Sequence, residues 1–278
     1  MLMNKKALNI VTILIIVLAI VFTYFFVSNL FIVQPNTTDV VGVFTWADFY
    51  QIIALVGGVA GFFVSQAWGG LKSILGRAIF FISLGLFFQN IGQTIFSFYA
   101  IYWPNTTFYP SLADIGFFGS VLSYIYGVYL ICKMCGVHRG FINSNKIKLV
   151  VFLVPIVILG GSYFVFLKDY LYDPTSPIKV FLDFGYPLGQ ALYIALTVLA
   201  YIVSKNTLGG MMRSTILILF IALLLQYAAD FNFLYQSTSD SWVLSGSYGD
   251  FLYLISYTFM SLTLIKFGYK NQEFMKKI

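Results

Sequence analysis

At 278 residues, with 60% hydrophobic and only 9% charged side chains and a mean hydropathy of +0.88, the chain cannot cover a fold with polar surface. Soluble domains run at about 45–50% apolar and about 25% charged, so the composition excludes one and makes the lipid bilayer the solvent. The formal charge of +6 does not indicate nucleic acid, because the cations sit in short connectors beside apolar runs, which is a topology signal.

Residues 1–6 are short and basic, and 7–33 form one apolar run. That run is longer than the roughly 7–15-residue core of a secretory signal, so it predicts an uncleaved first span. A polar connector leads to a second span over 46–68, where Gly57 and Gly61 have small-xxx-small spacing for close helix contact. The third span, 78–103, carries Gly85, Gln89, Gln93 and Ser97 four residues apart and therefore on one face. The fourth starts near Ser111 and ends around Cys132 and Cys135. This lone Cys-x-x-Cys lacks the second pair that a zinc site needs, and the two thiols read as ordinary reduced cysteines. The fifth span is 149–167. The sixth, 180–203, is interrupted by Gly185, Pro187 and Gly189. The seventh is 214–234 and the eighth 250–267.

One span takes about 20 residues, so the fold class is an all-α membrane protein of about eight transmembrane helices, a single polytopic domain over 1–278. Asp114 follows Asp48 by 66 residues, Asp183 follows Asp114 by 69, and Asp250 follows Asp183 by 67. Such a period is the mark of a repeated unit, here four tandem helical hairpins, roughly 7–70, 78–135, 149–203 and 214–268. Of the 16 Lys and Arg residues, all but Lys168 and Lys179 fall on the side that holds both termini. The positive-inside rule makes that side cytoplasmic. The localisation that follows is a cell membrane crossed many times. The sequons at Asn36 and Asn105 then lie outside, where glycosylation takes place.

Three of the four aspartate stretches read Ser/Thr-x-x-Asp, a relative of the capping box. Asp48, Asp114 and Asp250 are therefore expected to cap helix N-termini, where a carboxylate also suits the helix dipole. Asp183 departs from this pattern. With Ser176 as cap and Pro177 at the first helical position, it falls about two turns inside the sixth span, on a face with Tyr186, Gln190 and Tyr193. Asp230, one turn after Gln226, sits inside the seventh. Carboxylates within spans are candidates for function by default. Asp183, Asp230, Gln226, Gln89, Gln93 and Gln190 form the expected ligand- or ion-binding set. Gln190, Tyr186, Gln226 and Gln89 or Gln93 are the expected partners of the two carboxylates. The 20 Tyr and 30 Phe read as interfacial belts and bulky packing. No Walker loop, metal-protease motif or nucleophile–base pair is present. The single His138 excludes a bis-histidine haem, and Lys266 stands at the end of its span rather than where a retinal Schiff base belongs. No catalytic residue, metal or cofactor is expected.

The stretch 109–118, with Pro110, Ser111, Ala113 and Asp114, resembles the Pro-Ser-x-Ala-Asp piece in the multi-span membrane regions of bacterial GGDEF-type signalling proteins. Phe184-Gly185-Tyr186-Pro187-Leu188 and Gly249-Asp250-Phe251-Leu252 are similar to two further pieces of those regions. The likeness covers the spans alone, so it carries over no cyclase activity. It implies a sensor-like or assembly module that works through a membrane or cytoplasmic protein partner. The alternative is a secondary transporter or ion-translocating protein, favoured by repeats, an interrupted sixth span and carboxylates within spans. Cysteine probes check the topology. Substitutions at Thr38, Thr107, Ser176 and Ser239 are expected to react with an impermeant maleimide in intact cells, and those at Ser73, Ser144 and Asn206 to stay unlabelled.

Overall fold

The computed structural model describes residues 4–31, 45–103, 109–136, 145–164, 168, 174–204, 212–238 and 248–276. The sequons at Asn36 and Asn105 lie outside the described residues, as does His138. Within them the chain is helical, with no strand. Helix α1 is Lys5–Phe31 and α2 is Ile52–Ala67. Then come α3, Ile74–Tyr102, and α4, Ala113–Met134. The second half holds α5, Asn145–Ser162, and α6, Pro177–Val203. It ends with α7, Arg213–Thr238, and α8, Tyr248–Met275.

Seven of these helices, all but α5, are long and apolar enough to cross a membrane. At 1.5 Å per residue, the 29 residues of α3 reach about 43 Å, beyond a hydrocarbon core of about 30 Å. The expected second span resolves into a short 3-10 turn at Trp46–Asp48 followed by α2. The fifth helix starts earlier than expected, at Asn145, and the eighth runs on to Met275. In both, polar residues such as Asn145 and Lys270 continue the helix past the apolar run, where the periodicity of hydrophobic residues no longer reports it.

The connection between α2 and α3 shows how the helices are turned. Gly69 and Gly70, at φ 90° and 57°, adopt the left-handed backbone that ends α2 and that glycine tolerates without a Cβ clash. Ser73 then caps α3, accepting the Gly76 amide at 2.8 Å and donating to the Trp68 carbonyl.

Packing between helices closes a ring: α2 against α3, α3 against α4, α4 against α6, α6 against α7, α7 against α8, and α8 back against α2. Helix α1 lies outside it on α8 and α2, and α5 lies outside on α6. Only 17% of the apolar window of α1 is buried, against 61% in α2, α4, α6 and α8. The rest of α1 is exposed, as are Leu149, Phe152 and Ile156 of α5. Because lipid tails are as apolar as leucine, close contact of small residues rather than the hydrophobic effect draws the spans together. A Cβ on Gly116 of α4 would lie 2.4 Å from the Gly92 amide nitrogen of α3, and one on Gly57 of α2 would lie 1.8 Å from Ser261 Oγ of α8.

Even-numbered helices run from one end of the bundle, and odd-numbered helices return to it. That end carries Asp48, Asp114, Asp183 and Asp250 in or near the first turns of α2, α4, α6 and α8 and is called the acidic end below. Lys72, Arg77, Lys133, Arg213 and Lys270 stand at the other, basic end. Gly116→Ala is expected to lower the unfolding free energy in detergent by about 1–3 kcal/mol, since its Cβ meets backbone that cannot step aside. Gly160→Ala, with nothing within 4 Å of the new Cβ, should leave it unchanged or slightly raised in the same titration.

Candidate functional site

The interior of the ring at its acidic half is polar, and its hydrogen bonds run from helix to helix. Asp230 of α7 is 9% exposed. Its carboxylate accepts Tyr253 Oη of α8 at 2.6 Å, Gln226 Nε2 of its own helix at 3.1 Å and Gln190 Nε2 of α6 at 2.9 Å. Gln226 Oε1 lies 3.2 Å from Ser256 Oγ of α8. On the opposite wall, Gln89 of α3 donates to Ser120 Oγ of α4 at 2.6 Å and accepts Tyr257 Oη of α8 at 2.9 Å. A carboxylate transferred from water into hydrocarbon is strongly disfavoured unless donors surround it. Three helices supply them here.

Closer to the acidic end, Asp114 accepts the Ser111 amide at 2.7 Å and Tyr186 Oη of α6 at 2.8 Å. Asp250 accepts Tyr50 Oη at 3.2 Å. Asp48 accepts the Thr45 amide at 2.7 Å and stays within its own turn. Asp183 accepts Tyr109 Oη at 2.7 Å and pairs with Lys179 Nζ at 3.2 Å. Ser176 precedes α6 as expected, with Pro177 at its start, but no bond from the Ser176 side chain caps the helix.

The structure therefore distributes the expected partners differently. Gln190 and Gln226 both serve Asp230. Tyr186 serves Asp114, and neither Gln89 nor Gln93 touches an aspartate. Asp183 sits on the side of α6 that passes the entry to α4, so it meets Tyr109 rather than the glutamine two helix turns deeper. Cys132 and Cys135 are free thiols, both buried, and Cys132 Sγ donates to the Leu196 carbonyl. No cluster of metal-ligating side chains occurs among the described residues.

The contacts recur along the chain. Tyr186 follows Tyr50 by 136 residues, and Asp250 follows Asp114 by 136, so the two tyrosine–aspartate bonds are the same contact made twice. Gln226 follows Gln89 by 137, Ser256 follows Ser120 by 136, and these two pairs also meet, the glutamine donating in the first and accepting in the second.

Between the halves lies a cavity of about 40 Å³, room for a few heavy atoms at most, lined by Gln93, Phe96 and Phe117 from α3 and α4 and by Asp230, Phe233 and Tyr253 from α7 and α8. Tyr186, Leu234 and Asp250 complete it. Its walls correspond position for position: Asp230 stands 137 residues after Gln93, Phe233 137 after Phe96, and Tyr253 136 after Phe117. Sequence reasoning placed Tyr186 and Tyr193 on the face of Asp183 but missed the other tyrosines. Read as interfacial belts, Tyr50, Tyr124 and Tyr257 are instead fully buried. The 136-residue interval between Tyr50 and Tyr186, matching the one between Asp114 and Asp250, is the signal that could have found two of the contacts.

Comparison with family models, curated proteins and solved structures finds no match for this chain.

A substitution series at Asp114 separates the local and the cross-helix contact. Asp114→Asn keeps one acceptor oxygen for the Ser111 amide and offers its Nδ2 as a donor to Tyr186 Oη, so it is expected to be mild. Asp114→Leu strips both and should cost more than the about 0.5–2 kcal/mol of a cap alone, read from unfolding in mixed micelles.

Proposed function

We propose that this chain is a non-enzymatic membrane module that receives a small ligand at the acidic end of its six-helix ring and reports it to a protein partner at the basic end. The observation that carries this reading is Asp230. It is a carboxylate buried at cavity depth, yet held by donors from α6, α7 and α8 and facing the cavity. A group whose only task was to fasten helices needs no cavity beside it. The charge distribution orients the module: the positive-inside asymmetry puts the basic end in the cytoplasm of a cell membrane and the acidic end outside. Asp48, Asp114 and Asp250 hold helix starts in this reading, and Asp114 and Asp250 also fasten neighbouring helices. The four-hairpin period in the aspartates and the likeness to GGDEF-type membrane regions support a sensor-like or assembly role.

A second reading, transport, is favoured by one observation. Pro187 stands inside α6, one turn after Asp183, and has no amide to donate, the kind of weak point at which a helix bends. Flux separates the two. Reconstituted alone into liposomes, the chain is expected to leave imposed proton and potassium gradients intact. Crosslinking through Lys72 and Lys270 in native membranes should recover one stoichiometric protein, in reduced yield from Asp230→Asn. Gradients that collapse with the wild-type chain and hold with Asp230→Asn would make it a transporter instead.

A further inference from the structure

The cavity between the two halves has a chemistry of its own. Asp230 and Asp250 bring carboxylates to its wall, and no lysine or arginine is among the residues that line it. Asp230 uses three of the roughly four acceptor positions of a carboxylate. Oδ1 takes Tyr253 and Gln226, and Oδ2 takes Gln190 alone, so Oδ2 has room for one more donor. Gln93, 6% exposed, lines the cavity and, among the described residues, makes no hydrogen bond that would occupy its amide. That amide opens on the same space as two carboxylates, where a bound group can reach it. The remaining wall is aromatic. Phe233 packs edge-on against Phe96 with centroids 5.6 Å apart and lies 6.4 Å from Phe117.

Acceptors on one side and ring faces on the other select a cation that carries N–H groups. A hard metal ion requires oxygen over its whole shell, and most of this wall is apolar. An ammonium centre is held by ring quadrupoles where it meets aromatic faces and by directed hydrogen bonds where it meets acceptors. Size favours the smallest members. About 40 Å³ is little more than the roughly 30 Å³ share of one water in the liquid, so ammonium and methylammonium are the cations that match it. We propose that this cavity binds a primary ammonium group no larger than methylammonium, with Asp230 Oδ2, the Asp250 carboxylate and Gln93 Oε1 accepting its hydrogens against the rings of Phe96, Phe117 and Phe233. The assignment rests on the reading of the acidic end as a ligand-receiving site and gives that ligand its class.

The test uses the full chain in detergent, titrated with chloride salts at constant ionic strength while its melting temperature is followed. Ammonium and methylammonium are expected to raise it saturably, and potassium, sodium and tetramethylammonium to leave it unmoved. Gln93→Leu is the decisive variant because, among the described residues, it removes no hydrogen bond. A structural glutamine at this position predicts an unchanged ammonium titration, whereas the site predicts at least a tenfold weaker one with the basal melting temperature kept. Asp230→Asn should weaken it at least as much. A potassium response equal to that of ammonium overturns the ammonium assignment and leaves a cation-receiving site standing. No response to any of the five salts, or a Gln93→Leu titration identical to wild type, overturns the assignment of this cavity as the site.

Discussion

A carboxylate inside a bilayer must be enclosed by donors, and in this protein that requirement joins the helices. Asp230 cannot be satisfied by α7 alone, since Gln226 supplies one hydrogen bond and two more come from α6 and α8. Asp114 reaches from α4 to α6, and Asp250 from α8 to α2. These are junctions that sequence-adjacent hairpins do not provide, so the ring is closed by polar groups at the places where connectors cannot close it. Small residues allow the close approach, as at Gly92 and Gly116, but packing against lipid-like surfaces is weakly selective. The hydrogen bonds choose the neighbours.

Approximate two-fold recurrence explains why the polar groups converge. When the same tyrosine–aspartate and glutamine–serine contacts are made 136 or 137 residues apart, equivalent side chains face one another across a common centre. The cavity lies there. Its character comes from where the halves differ: glutamine in one and aspartate in the other at the Gln93 and Asp230 positions, phenylalanine and tyrosine at Phe117 and Tyr253. One half contributes the charge and the hydroxyl, the other contributes apolar ring surface and the Gln93 amide. Recurrence supplies the place, and the differences between the halves supply the chemistry.

Much of the architecture was legible in the residues. Long apolar runs mark the spans because a bilayer tolerates little else, and most boundaries fell within a few residues of the polar connectors. Gln226 and Asp230 stood out for the same reason, as polar groups where none is expected. What could not be read was which helix stands beside which. Periodicity places Asp183, Tyr186 and Gln190 on one face of α6, yet that face is wide enough to look toward α4 at one level and α7 at another. The three side chains serve three different partners: Tyr109, Asp114 and Asp230. Tyrosine carried the opposite ambiguity. Its amphipathic ring suits a headgroup interface and a buried hydrogen bond equally well, and composition cannot separate the two.

The seam between α2 and α8 sets the order of events during synthesis. Tyr50 and Asp250 are 200 residues apart, and at about 5–20 residues per second some 10–40 s separate their emergence from the ribosome. Throughout that interval α2 is inserted with the groove at Gly57 empty and the Tyr50 hydroxyl without its carboxylate. The nascent half-ring therefore passes through the translocon with an open polar flank. Another helix can occupy that flank before α8 arrives, whether from a second nascent chain or from a membrane chaperone. The ring is thus complete only once its last helix is in place.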